Sequence, residues 1–159
     1  MLFSLSYLNY LWTSNNQHGV HSPFVYQLLT KALYKNTKST QSELFKQWQI
    51  KHHIRNSRKI KIINRALNYF NDSSFNTAHL GAYTFDRTLY INSLENFQLN
   101  IENELIRHPF IIVDHIDAQQ KKWQEIYQNP KLTLSLDFYN IGFLFFKPGQ
   151  HKENFKIRI

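Results

Sequence analysis

Four consecutive apolar residues, Phe110-Ile111-Ile112-Val113, stand between two helical patterns, and no other feature narrows the fold as much. A strand without polar alternation is covered on both faces, which places helices above and below a sheet and makes the chain α/β. Upstream, Leu94, Phe97, Ile101 and Leu105 recur at helical spacing over about Ser93–Arg107, and His108-Pro109 stops that helix. Downstream, Asp117 is placed to cap a helix reaching about Gln128, with Trp123, Ile126 and Tyr127 inward and Asn129-Pro130 at its end. Leu132, Leu134 and Leu136 alternate with Thr133, Ser135 and Asp137, which predicts a half-buried strand. Tyr139–Gly142 turns into a second strand, Phe143–Lys147, and Phe155, Ile157 and Ile159 alternate as a third.

The first part of the chain reads as helical. Leu2, Phe3, Leu5, Tyr7, Leu8, Leu11 and Trp12 predict an apolar helix that packs on a partner or on the core. Ser22-Pro23 has the form of an N-cap followed by proline at the first helical position. It opens a helix through Tyr34 with Phe24, Val25, Leu28, Leu29 and Leu33 inward. Lys35–Gln41 is a polar linker, so the expected organisation is a helical segment over 1–41 and an α/β part over 42–159, together forming one unit of ordinary domain size.

With no cysteine, disulfides, thiolate zinc sites, iron–sulfur clusters and a cysteine nucleophile are all excluded. No apolar run approaches the roughly 18 residues of a membrane span. Met1–Trp12 lacks the basic n-region of a secretory signal, and the expected location is cytoplasmic. There is neither a Gly-x-Ser-x-Gly elbow nor a Gly-x-x-x-x-Gly-Lys loop, so nucleophilic hydrolysis and NTP hydrolysis have no support. His18 and His21 have the spacing of a metal pair, but no third ligand lies nearby in sequence, and no metal is expected.

Charge is uneven. The formal net charge is +8, yet Met1–Asn71 holds ten Lys/Arg against the single acid Glu43, whereas the remainder has nine bases against ten acids. Between Glu43 and Asp72 lie seven bases and no carboxylate. On a helix capped by Asn56 or Ser57, Ile60, Ile63, Leu67 and Phe70 share one side, and Lys51, Arg55, Arg58 and Arg65 fall opposite. Like charges along a helix repel, so a polyanionic partner is the sharper reading and a solvated basic face the plainer one. The residues expected to contact phosphate are Lys51, Arg55, Arg58, Lys59, Lys61 and Arg65.

Two stretches carry a family resemblance. His18-Gly19-Val20-His21-Ser22-Pro23-Phe24-Val25, followed by Leu29-Thr30-Lys31-Ala32-Leu33-Tyr34, resembles the opening of a group of class I S-adenosylmethionine-dependent methyltransferases of Bacteroidota. Trp123 to Ile159, with Asn129-Pro130-Lys131-Leu132-Thr133, Asp137-Phe138 and Ile141-Gly142-Phe143-Leu144-Phe145-Phe146, looks like the end of the same proteins. The resemblance implies a doubly wound, Rossmann-like sheet finished by an antiparallel hairpin, preceded by N-terminal helices.

The middle departs from that pattern. Where the family has a glycine-rich loop, this chain has Ala78-His79-Leu80-Gly81-Ala82-Tyr83-Thr84-Phe85, with Gly81 alone, and one glycine does not supply the close backbone approach a nucleotide cofactor needs. Phe75–Leu80 and Thr88–Ile91 are strand candidates. From Leu80 to Leu89 only eight residues intervene, too few for the crossover of about a dozen or more that parallel neighbours require. If both are strands they form a hairpin, and the half of the sheet that cradles a cofactor is missing. The family's Asp-Asp-Ile-His run aligns with Asp114-His115-Ile116-Asp117, which keeps Asp114 as a residual cofactor candidate beside Gly81. Asp114, His115 and Asp117 at a strand end are either a site or a helix cap beside a solvent-facing histidine.

The expectation is a truncated, degenerate methyltransferase-like protein that has lost its cofactor and acts by binding RNA or a ribonucleoprotein such as the ribosome. One alternative is an active S-adenosylmethionine-dependent methyltransferase completed by a partner. The other is a protein-interaction subunit that docks through Leu2–Trp12.

Overall fold

The computed structural model describes residues 4–35, 41–71, 82–85, 87–95, 103–104 and 107–159. The apolar run forms the centre of a six-stranded sheet. In chain order the strands are β1 (Ala82–Phe85), β2 (Thr88–Ile91), β3 (Phe110–Asp114), β4 (Leu134–Asp137), β5 (Ile141–Phe145) and β6 (Glu153–Lys156). In space they run β1-β2-β3-β5-β4-β6. β2 and β3 are parallel, with Thr88 opposite Phe110 and Ile91 opposite Val113. β5 is inserted antiparallel between β3 and β4, pairing Phe110 with Phe145 on one side and Leu134 with Phe145 on the other. β6 extends the sheet parallel to β4.

Helices cover both faces, as the unbroken β3 pattern demands. Strand side chains alternate between faces, so Tyr90, Phe110, Ile112, Leu134, Leu136, Phe143 and Phe145 enter one core, and Leu89, Ile91, Ile111, Val113 and Leu144 enter another. Over the first face lie α2 (Pro23–Leu28), which continues as a π-helical turn through Leu33, α3 (Glu43–Lys51) and α4 (Ser57–Tyr69). Over the second lies α5 (Gln120–Gln128). A short helix, α1 (Leu5–Thr13), packs by its Tyr10 side against the carboxyl ends of β4 and β6. Val25, Leu28 and Leu29 share a core with Ile62 and Phe143, so residues from the 1–41 segment and the sheet close one interior.

Local chemistry sets the helix starts. Ser4 accepts from Tyr7 N at 3.2 Å, Ser42 from Phe45 N at 3.1 Å, and Asn56 from both Arg58 N and Lys59 N at 3.0 and 3.1 Å, each satisfying backbone donors that have no partner within the helix. Ser22 stands at the N-cap of α2 with Pro23 following, although its hydroxyl makes no capping bond.

Several expectations shift. Thr88–Ile91 forms a hairpin with Ala82–Phe85, Phe85 opposite Thr88, a strand the sequence reading did not place; Phe75–Leu80, the expected partner, lies outside the described residues, as does most of the expected helix Ser93–Arg107. Asp117 does not cap α5. Ala118 N and Gln119 N donate back to His115 O and Ile116 O, each at 3.2 Å, forming a turn that delays the helix start and leaves Gln119 at the cap. β4 is buried on both faces, because Ser135 Oγ finds Asn154 Oδ1 at 2.7 Å and Asp137 Oδ1 accepts from Tyr139 N at 2.7 Å. The polar half of its alternation is thus buried with local partners. The basic helix of the sequence reading is two helices: His53, at positive φ, breaks the chain after α3, so Lys51 and Arg55 precede α4.

Candidate functional site

In α/β sheets ligands sit outside the carboxyl ends of the strands. Here that end is filled from within. Asp114, last in β3, is buried and accepts from Lys59 Nζ of α4, from Tyr90 Oη of β2 at 2.6 Å and from His115 N at 2.6 Å. Lys59 itself is 7% exposed. A buried ion pair is tolerated when its geometry is good and the remaining lone pairs are satisfied, and the tyrosine hydroxyl and the amide do this. Asp114 therefore faces its own protein.

The neighbouring groups divide. His115 is half-exposed at positive φ, with Nδ1 3.1 Å from Asn92 O, and Asp117 points to solvent. His115 Nδ1 also lies 3.5 Å from Asp114 Oδ1, but Asp117 does not join them, and among the described residues no group of three or more potential ligands is arranged to hold a metal. His18 and His21 are both exposed. Gly81 lies outside the described residues. The four residues after it form an antiparallel strand where the family resemblance implies a cofactor loop.

A second charged group closes the carboxyl end of β4. Burial pushes the Asp137 carboxyl above its ordinary range. Burial, helped by the negative charge of Asp137, raises the Tyr10 phenol strongly as well. Tyr10 Oη donates to Asp137 O at 3.2 Å and to Ile157 O, which ties α1 to the ends of β4 and β6.

The six cations singled out by sequence divide in two. Lys59 is paired with Asp114. Arg65 is buried, and its Nη1 donates to Leu33 O at 2.6 Å, satisfying a terminal carbonyl of the α2 helix. Arg58, half-buried, donates to Phe138 O at 3.1 Å and to Ile159 O at 3.3 Å. Lys51, Arg55 and Lys61 are exposed. The one-faced basic stripe is corrected because α4 is covered on two sides, by the sheet and by α2, so that Ile62 through Leu67 are all buried. A helical wheel assumes one covered face. The described residues do bring Ser57, Arg58, Lys61 and Arg65 together around a cleft of about 300 Å³, with Leu33, Ile62 and Ile159 as its apolar lining.

The chain matches no family model, no curated protein and no solved structure. Sequence reasoning missed Tyr90 and Tyr10 as partners of the buried carboxyl ends. Leu89-Tyr90-Ile91 is an unbroken apolar run, so no alternation marked Tyr90 as sharing a face with Asp114.

Proposed function

We propose that the chain is a non-catalytic, degenerate class I methyltransferase-like domain that binds RNA or a ribonucleoprotein, the ribosome among them, through the cations of the α3–α4 corner. The observation that carries the reading is the division of those cations. Arg58, Lys59 and Arg65 meet internal acceptors, whereas Lys51, Arg55 and Lys61 project into solvent from a stretch without a carboxylate. Exposed like charges with no acid between them repel, and phosphates offset that repulsion with release of counterions. The insertion of β5 antiparallel between two mutually parallel strands supports the family part of the reading. The sealing of Asp114 by Lys59 and Tyr90 supports its non-catalytic part.

The test is binding of a single-stranded RNA, followed by fluorescence anisotropy over a salt series. Each phosphate contact on a single strand contributes about 0.7 to the slope of log K against log salt, so the K51E/R55E/K61E variant should lose affinity and reduce the slope by roughly 2. Unchanged binding by that variant overturns the RNA reading, and micromolar calorimetric binding of S-adenosylmethionine overturns the non-catalytic one.

One observation favours a protein partner as a second reading. Leu5 and Trp12 of α1 are 86% and 91% exposed, with Leu8 half-exposed beside them. Loss of a co-purifying protein from an L5S/W12S variant that still binds RNA would assign that role to α1. Among the described residues, no helix is long and apolar enough to cross a membrane.

A further inference from the structure

α1 turns apolar side chains in two directions. At about 100° per residue, Leu5, Leu8 and Trp12 fall within a sector of about 60° that lies roughly opposite Tyr10, the buried anchor of the helix. Leu5 and Trp12 are 86% and 91% exposed, and Leu8 49%. A solvated outer face normally carries polar groups, and this one carries three large apolar ones. Tyr7 and Tyr10 pack on Tyr139 with ring centroids 4.8 and 5.3 Å away, and Tyr10 Oη bonds to the ends of β4 and β6. The helix cannot turn its outer face inward without giving up those contacts.

Shape and charge select the occupant. This face is the one on which a protein partner would dock under the second reading, and it fits a lipid surface better. Stable protein interfaces need roughly 20–30 residues a side with matched shape, whereas three side chains protruding from a helix of nine residues offer neither. A bilayer interface needs no matched shape: leucine enters the acyl boundary, and tryptophan suits the headgroup level, where one end of its ring system stays wet. α1 carries no charged side chain, so none has to be dehydrated when the helix lies down.

The charge around α1 has one dominant sign. No Asp or Glu occurs before Glu43. At the carboxyl end of α1, Asn15 N donates to Lys156 O at 2.8 Å and Arg158 N donates to Asn15 O at 2.9 Å, which brings the exposed residues Lys156 and Arg158 beside the helix. Arg158 uses one of its five N–H donors on Leu11 O, at 3.5 Å. Of the acids nearby, Asp137, in register with Lys156, is buried, and Glu153 accepts from Gln150 Nε2 at 2.6 Å. The net charge of +8 repels a second copy of the chain and draws the molecule toward an anionic surface.

We propose that α1 lies flat on an anionic lipid surface, with Leu5, Leu8 and Trp12 in the interface and Lys156 and Arg158 against acidic headgroups. This peripheral contact is separate from the α3–α4 cations and stands whether or not the RNA reading does.

The experiment mixes the full chain with vesicles of phosphatidylcholine containing about one-third phosphatidylserine, and with vesicles of phosphatidylcholine alone. Of the three tryptophans, Trp48 and Trp123 are each 1% exposed, so a shift of the emission to shorter wavelength and its quenching by brominated acyl chains report on Trp12. Half of the protein should be bound below about 1 mM accessible anionic lipid, within about tenfold of what a single myristoyl chain achieves. Binding to phosphatidylcholine alone should be at least about tenfold weaker. L5S/L8S keeps the reporter and should weaken sedimentation with the anionic vesicles at least about tenfold. K156Q/R158Q should weaken it by a similar factor and change binding to neutral vesicles less than about twofold, and it serves as the second variant should L5S/L8S not fold. Less than half of the protein bound at about 1 mM anionic lipid, equal binding to neutral vesicles, bound protein that brominated lipid leaves unquenched, or unchanged affinity in a folded L5S/L8S or K156Q/R158Q variant overturns the proposal. Capture of a protein through α1 without vesicle binding overturns it too, and assigns the face to that protein.

Discussion

Lys59 is the residue for which helix-face reasoning and the packed structure disagree most sharply, and Lys59→Met separates them. In the folded protein the ammonium lies against Asp114 with both side chains below one-tenth exposure. The substitution keeps the stem and the Asn56 cap bond to the residue 59 amide. It strands a buried carboxylate that keeps Tyr90 Oη and His115 N as donors, with the half-exposed His115 ring 3.5 Å away. Breaking one side of a buried pair costs about 3–5 kcal/mol. With an m of about 2 kcal/mol/M, the urea midpoint at neutral pH should fall by about 1.5–2.5 M. D114N should behave alike, since it strands the lysine, and the K59M/D114N double variant should lose little more than either alone. That gives a coupling energy of at least about 2 kcal/mol in the cycle. RNA affinity per folded molecule should be unchanged in K59M. A K59M midpoint within about 0.5 M of the parent, or single losses that simply add, would refute the coupling of Lys59 to Asp114.

Two further outcomes follow from the second core and the sealed strand ends. A Cβ at Gly142 would overlap the Trp123 indole, approaching Cζ3 to 2.7 Å. G142A should therefore cost about 1–3 kcal/mol by overpacking, read as a lower thermal midpoint, and a parental midpoint would show that the indole moves freely. At Asp137 burial raises the carboxyl, so the folded state keeps its proton to higher pH than the unfolded chain. Stability from this group is full below the ordinary value of 3.8 and declines as pH rises through the window above it. D137N retains the oxygen that accepts from Tyr139 N and should lack that decline in urea midpoints between about pH 4 and pH 6; parallel curves for the two proteins would contradict the assignment.

Much of the architecture was legible along the chain. The unbroken run at Phe110–Val113 required helices on both faces, and helices lie there. The partner of β2 was not legible: β1 is Ala82–Phe85, inside the stretch aligned with the family's glycine loop, and the strand expected at Phe75–Leu80 lies outside the described residues. The alternation after Pro130 announced strands, although not that β5 would insert between β3 and β4, since hairpin chemistry fixes direction and leaves the neighbour on the far side open. Asn56 and Ser22-Pro23 marked helix starts, because capping depends on residues adjacent in sequence.

The assignment of charge was decided only in three dimensions. Sequence placed Arg58, Lys59 and Arg65 with Lys51 and Arg55 because periodicity reports which residues share a side, not how many sides a neighbour will cover. α4 is covered on two, so Lys59 and Arg65 are buried and need partners from elsewhere in the chain. Lys59 takes Asp114, 55 residues away, and Arg65 takes Leu33 O, 32 residues away. Amino-acid order determined that the middle of the chain would be strongly cationic. Which of those cations meet solvent and which meet a carboxylate or a carbonyl was set by the packing of α2, α3 and the sheet around them, because burying a charge is tolerable only where the fold supplies its counterpart.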